Sequence, residues 1–272
     1  MRKFMTQPVG SGRNRLISGA TAFVLAVAVS GGAWAHKTFL ASPQAIWPVG
    51  QPVTIAMTSA LEYPDIEFPL ARDRVASATA LIGATEISEF NLAETDTSLE
   101  IQFAPVATGY GVLAVVTHPR SGEISSESVD VYFDEIDADQ AVQAAFHALP
   151  GTPALMRSYT KLTKTFFCVD ACLGNAEAWH QPLGLPLEFI ASDDEAGRFA
   201  LYQDGQPLAG HRVTIHTPDG RHFDARTDVS GQFTLDPDIA GEVLLSAVWI
   251  DLPDRPDGNY HSDQATLTVR ID

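Results

Sequence analysis

From residue 36 onward the chain is built of short runs in which apolar and polar residues alternate. Val53-Thr54-Ile55-Ala56-Met57, Ala78 to Ile82, Leu99-Glu100-Ile101-Gln102-Phe103, Val112 to Thr117 and Val129-Asp130-Val131-Tyr132-Phe133 each put an apolar set on one face. A period of two marks half-buried strands. Turn residues such as Pro48-Val49-Gly50 and Arg120-Ser121-Gly122 break the runs at the spacing of an antiparallel sandwich. Residues 36–134 read as a first β-domain.

The period then changes. Val142, Ala145, Phe146 and Leu149 fall at i, i+3, i+4 and i+7, in a stretch that acidic residues open and Pro150-Gly151 closes. That spacing predicts a connector helix over 137–149. It lies in a linker, 135–184, that also carries the loop Cys168-Val169-Asp170-Ala171-Cys172. Strand-like runs resume at Leu185 and continue through a second β-domain, 185–272. Its clearest element is Val213 to Phe223, two strands around the turn Pro218-Asp219-Gly220. A faint internal echo, Ile101-Gln102-Phe103 with Gly109 to Val116 against Gly231-Gln232-Phe233 with Gly241 to Val248, agrees with two similar halves. The expected fold is all-β: two tandem antiparallel, Ig-like β-sandwiches joined by a short helical linker.

The first 35 residues have a different character. Arg2, Lys3, Arg13 and Arg15 precede an uncharged apolar run ending in Ala33-Trp34-Ala35, a small-x-small cleavage pattern. This reads as a signal peptide cut after Ala35, with an uncleaved anchor as the rival, and the mature protein is expected in the periplasm. Asn14 separates Arg13 from Arg15, so the twin arginine of folded export is missing.

Across all 272 residues, 17 Lys and Arg face 34 Asp and Glu, for a net charge of −17. Nucleic acid is excluded as a natural partner, because nothing offsets repulsion from its phosphates. Cleavage after Ala35 would make His36 the first residue. Its α-amine and imidazole Nδ1 would then chelate one metal ion together, and nitrogen donors suit Ni, Co and Cu. A second histidine would complete a brace.

From Tyr159-Thr160-Lys161 onward, several segments resemble a known family. They are Gly184-Leu185-Pro186-Leu187-Glu188-Phe189, Asp204-Gly205-Gln206-Pro207-Leu208-Ala209-Gly210, Thr227-Asp228-Val229-Ser230-Gly231-Gln232-Phe233 and Ala265 to Val269. Together with Ala35-His36 they resemble the nickel-uptake substrate-specific family of exported bacterial proteins, periplasmic components of cobalt or nickel transport. The Gly-x-Pro-Leu-x-Gly and Thr-Asp-x-x-Gly-x-Phe pieces also resemble carboxypeptidase-regulatory-like sandwiches, in which they report fold more than activity. In them Gly205 and Gly231 would supply turns, Asp228 would bond its own loop, and Val213 and Phe233 would fill the core. The resemblance implies metal handling and a membrane metal transporter as partner. Trp249 stands where many members of that family carry a histidine.

His118, ending a strand at Val116-Thr117-His118-Pro119, and His261, in Asn259-Tyr260-His261-Ser262-Asp263, are the candidates to join His36 as metal ligands. His216 and His222 flank the hairpin turn on its expected outer face, a weaker second pair. His147, His180 and His211 read as surface, loop and turn residues. For Cys168 and Cys172 an oxidising compartment predicts a local disulfide, with a thiolate pair for Cu(I) or Zn as the rival. No Gly-x-Ser-x-Gly elbow, phosphate loop, His-Glu-x-x-His helix or calcium loop occurs. The sequence thus leads to a non-enzymatic periplasmic Ni, Co or Cu binding accessory protein. The alternatives are a metal-free scaffold that presents Trp47, Trp179 and Trp249 to a glycan or protein, and a histidine-brace copper oxidase.

Overall fold

Residues 155–169 hold the architecture together. In the computed structural model, which describes residues 36–136, 138–174, 176–192, 196–253, 255 and 258–271, they form one 15-residue strand, Leu155–Val169. The expected signal peptide lies outside the described residues. One edge of this central strand pairs in parallel with the last strand, Tyr260–Ile271, in the register Lys161 to Gln264 and Thr163 to Thr266. The other edge pairs antiparallel with Arg120–Ile124 near its start and with Gly109–Thr117 near its end. A ten-stranded sheet results, running from the His222–Arg226 edge through the central strand to Thr85–Ile87.

Side chains of a strand alternate between faces, and the central strand uses both. Leu162 and Phe166 join one core with Leu187, Phe189, Phe199, Leu201 and Phe233 of a four-stranded sheet. Phe167 and Val169 join another with Leu40, Val53, Ile55, Met57, Leu99 and Ile101 of a five-stranded sheet. The two smaller, antiparallel sheets therefore cover opposite faces of the large one, each forming a β-sandwich with it, and the parallel pairing at the centre of the large sheet departs from the all-antiparallel arrangement expected. Burial of these aliphatic and aromatic side chains supplies the main favourable term, about 1.5–3 kcal/mol for each large one. The first strand, Lys37–Ala41, lies in the five-stranded sheet and is tied across to the last strand by a bond from the Thr266 hydroxyl to the Thr38 carbonyl at 2.9 Å.

Most of the alternating runs are strands: Val53–Ala60, Val75–Ile82, Leu99–Phe103 and Gly109–Thr117. The Pro-Asp-Gly hairpin pairs Val213 with Ala225 and His216 with His222. Gly205 and Gly231 take left-handed φ values of 73° and 75° at their turns. Asp228 accepts bonds from the Ser230 and Gln232 amides at 2.8 and 3.0 Å.

Two segments depart from the pattern. Val129–Glu135 is a helix, not a strand. Val129, Tyr132, Phe133 and Ile136 are buried at helical spacing, while Val131, which alternation would place inside, is 59% exposed. The same five letters satisfy both periods, and the packing of Phe133 against Phe146, ring centroids 5.6 Å apart, goes with the helical one. Phe146 lies on the connector helix, which spans Gln140–His147. The second departure is the central strand itself, in a stretch expected to be linker. Among the described residues no helix is long and apolar enough to cross a membrane.

Candidate functional site

A cavity of about 440 Å³ opens where the first strand passes the start of the central strand. Arg157, Tyr159 and Lys161 reach it together because they are alternate residues of one strand and share a face. Across the register Gln264 lies beside Lys161, and the two side chains are hydrogen-bonded. His36 and Thr38 come from the first strand, Asp73 and Arg74 from the short helical turn Arg72–Arg74, and Arg120 from the strand paired to Tyr159.

The Tyr159 ring organises the charge. The guanidinium of Arg157 lies 4.7 Å from its centroid, the Lys161 ammonium 5.4 Å and the Arg74 guanidinium 5.8 Å. Arg157 also lies 5.1 Å from the Tyr132 ring, so it lies against two aromatic rings. Such contacts are worth about 0.5–2 kcal/mol each. Burial first, then the neighbouring charges of Arg157, Lys37 and Arg74, lower the pKa of Lys161 to about 7. Its ammonium donates to the His36 carbonyl at 2.9 Å. The Nε atoms of both Arg74 and Arg157 are buried without a hydrogen-bond partner among the described residues.

The expected histidine trio is dispersed. His36 stands half-buried on the cavity wall with its ring edge-on to Phe68 at 4.8 Å. His118 is exposed, and its backbone, not its ring, meets Arg74: the His118 amide donates to the Arg74 carbonyl at 2.8 Å. His261 bonds Ser158 at 2.8 Å and approaches Asp263 at 3.4 Å. Ser158 alternates with Tyr159 and Lys161, so His261 occupies the sheet face away from His36. Among the described residues no group of three or more His, Cys, Asp or Glu is placed to hold a metal ion. The described side chains around His36 therefore do not form a donor set for Ni, Co or Cu, and the Arg74, Arg157 and Lys161 charges repel a divalent cation. Cys168 and Cys172 are joined by a disulfide with Cα atoms 5.2 Å apart.

The remaining candidates are corrected by their surroundings. His216 is buried, not an exposed hairpin residue, with Nε2 3.1 Å from the Ser246 hydroxyl and its ring 6.0 Å from that of His222. Burial, then Lys37 and His222, push its pKa down to about 3. The native state keeps this imidazole neutral while an unfolded chain takes up a proton below about pH 6.5. Stability should thus fall as pH drops from about 6.5 toward 3, with this residue accounting for a loss of about 3 kcal/mol by pH 4.5. Urea titrations across that range check it: His216→Asn should flatten the acid limb. His211 also has partners, the Val248 carbonyl at 3.1 Å and Asp139 at 3.5 Å. Of the three tryptophans proposed as a platform, Trp47 is buried, Trp179 is half-buried, stacks on Phe166 with centroids 4.8 Å apart and lines a second cavity, and Trp249 is half-buried against the core and donates to Asp251.

The sequence signal for the cavity was Arg157-x-Tyr159-x-Lys161, three polar residues at strand spacing. The pairing and the cavity define a mostly antiparallel β-sandwich protein with a cation-lined pocket against its central sheet. The chain belongs to the family described as a domain of unknown function (DUF4198), whose model matches residues 33–251. No curated protein matches the sequence significantly. Solved structures it is similar to include the D0-D1 domain of intimin (12% identity, TM-score 0.21, covering 85% of this chain and 97% of that one). Others are the Bacteroides ovatus mixed-linkage glucan utilization locus protein SGBP-B in complex with a mixed-linkage heptasaccharide (10%, TM-score 0.21, 86% and 46%) and Salmonella alpha-2-macroglobulin reacted with methylamine (10%, TM-score 0.22, 86% and 15%). This chain thus spans nearly all of the first structure but less than half of the second and about a sixth of the third.

Proposed function

We propose that the protein is an exported β-sandwich binding module whose ligand site is the cavity beside His36. The observation that carries this reading is convergence. Side chains from the first strand, the Arg72–Arg74 turn, the central strand and the last strand meet at one cavity, and two of them, Arg74 and Arg157, each have an Nε with no hydrogen-bond partner among the described residues. Apolar walls with a few convergent polar groups are the usual make-up of a ligand pocket. Phe68, Pro69 and Leu70 supply the apolar wall here, and Tyr159 an aromatic floor.

Protein beginning at His36, checked by intact mass, should be titrated by calorimetry with a panel of small anions, neutral sugars and the ions Ni(II), Co(II) and Cu(II). At least one class should bind, and Tyr159→Ala should weaken it about tenfold or more. Binding that Tyr159→Ala leaves unchanged would move the site elsewhere. Metal binding that His36→Ala abolishes, with no response to anions, would instead favour the chelate reading.

A further inference from the structure

The charge in this cavity runs against the composition of the chain. Acids outnumber bases 34 to 17, so carboxylates to neutralise a basic side chain are plentiful. Yet Arg74, Arg120, Arg157 and Lys161 line one cavity with only Asp73 among its carboxylates. Among the described residues none of these four cations forms an ion pair, although exposed basic residues elsewhere do: Arg221 lies 2.7 Å from Asp219, and Arg212 3.2 Å from Asp224. A cluster of like charges is costly unless something negative shares it.

The hydrogen-bonding inventory points the same way. Arg74 and Arg157 each bury an Nε–H that nothing among the described residues accepts, and an unsatisfied buried donor costs about 1–3 kcal/mol. The Arg157 guanidinium lies against both Tyr132 and Tyr159, which restricts its movement before any ligand arrives. Arg74 already donates one Nη–H to the His118 carbonyl at 3.2 Å, and a planar guanidinium matches the two oxygens of a carboxylate, phosphate or sulfate.

We infer that the Arg74, Arg157 and Lys161 cluster, with Arg120 at its rim, is a recognition site for a small, multiply charged oxyanion: phosphate, sulfate, or a di- or tricarboxylate. The inference rests on the reading of this cavity as the ligand site and names the chemistry it takes. Arg157 supplies one guanidinium, Arg74 the second, and Lys161 a charge that strengthens as pH falls. The groups that face Lys161 are Arg157 and Tyr159 on its own strand, His36 and Lys37 on the first strand, Asp73 and Arg74 on the helical turn, Arg120 on the neighbouring strand, Tyr132 and the carboxylate of Glu135 on the Val129–Glu135 helix, and the neutral Gln264 on the last strand.

The test is calorimetry of the protein starting at His36 with sodium sulfate, inorganic phosphate and citrate, using chloride at matched ionic strength as control. Sulfate keeps its charge between pH 6 and 8.5, so any pH dependence belongs to the protein. Binding of at least one of the three is expected, with sulfate affinity rising about tenfold from pH 8.5 to pH 6. Arg157→Gln should weaken binding about thirtyfold or more. Arg120→Gln, on the exposed rim, should weaken it less and guards against a folding defect. Lys161→Met should remove most of the pH response, and His36→Gln should keep it. The comparison of phosphate with citrate distinguishes a tetrahedral from a carboxylate ligand.

Binding of a neutral or cationic ligand that Tyr159→Ala weakens, with no response to any of the three anions, would overturn the oxyanion assignment and leave the binding-module reading standing. No cavity-dependent binding in any class would overturn both. Anion binding that survives Arg157→Gln and Arg120→Gln would place the anion elsewhere and overturn the assignment as well.

Discussion

Replacing Lys164 with Met should destabilise the protein by about 3–5 kcal/mol, because it strands a buried carboxylate. Lys164 and Glu188 are both almost fully buried, and their charged atoms lie 2.6 Å apart. Burial presses the Lys164 pKa below its ordinary value, and the Glu188 charge opposes that shift. The lysine also donates to the Phe189 carbonyl at 2.8 Å. Glu188 in turn accepts from the Leu183, Gly184 and Leu185 amides at 2.8, 3.1 and 3.2 Å. The pair therefore joins the central strand to the four-stranded sheet and shapes the loop that enters it. Urea denaturation gives the stability directly. The double variant Lys164→Met, Glu188→Gln should be more stable than Lys164→Met alone, since no unpaired charge remains, but less stable than the wild type because the loop amides lose a carboxylate. A Lys164→Met loss below about 1 kcal/mol would show that water reaches this pair.

Gly111→Val should cost about 3 kcal/mol or more by overpacking. A Cβ at this position would lie 2.5 Å from the Phe167 ring, and Phe167 is 1% exposed, so the ring has no room to retreat. Gly111 is also the acceptor for the Trp179 indole N–H at 2.7 Å. Trimming the obstacle should restore much of the loss: Gly111→Val with Phe167→Leu should be more stable than Gly111→Val alone. Thermal unfolding of the two single variants and the double variant checks this. Additive losses would mean that the strand shifts and the two side chains do not meet.

What could be read from the sequence, and what could not, follows from how many faces each element buries. Leu99–Phe103 is buried at every second residue, so its alternation is clean and its bounds are those expected. The Val213 to Phe223 hairpin was marked by its Pro-Asp-Gly turn. Leu155–Val169 was hidden because both its faces are covered and polar residues such as Thr163 and Lys164 sit fully inside, blurring the apolar rhythm. Val129 to Phe133 satisfied two periods at once, and only its tertiary neighbours decide between them.

The candidate site was less legible. Arg74, Arg120, Arg157 and Gln264 are far apart in sequence, and each alone resembles a solvated surface residue. The parallel pairing of the central and last strands brings in Gln264, the antiparallel pairing at Tyr159 brings in Arg120, and the Arg72–Arg74 turn brings in Arg74, none of which a local pattern encodes. His36 was visible as a residue of interest, but its surroundings were not. A histidine at this position suggests partners that bind a cation, whereas its neighbours Arg74, Arg157 and Lys161 are themselves cationic.

The clamping of the first strand bears on how the protein should be prepared. Lys161 grips the His36 carbonyl and Thr266 the Thr38 carbonyl, so the backbone at this point is fastened to the cavity wall. Any purification tag or fusion partner attached immediately upstream of His36 would leave from that wall and crowd the opening. A handle at the opposite terminus, reached from the far end of the last strand, would keep the entrance clear, and the two versions compared side by side should differ in ligand uptake far more than in melting temperature.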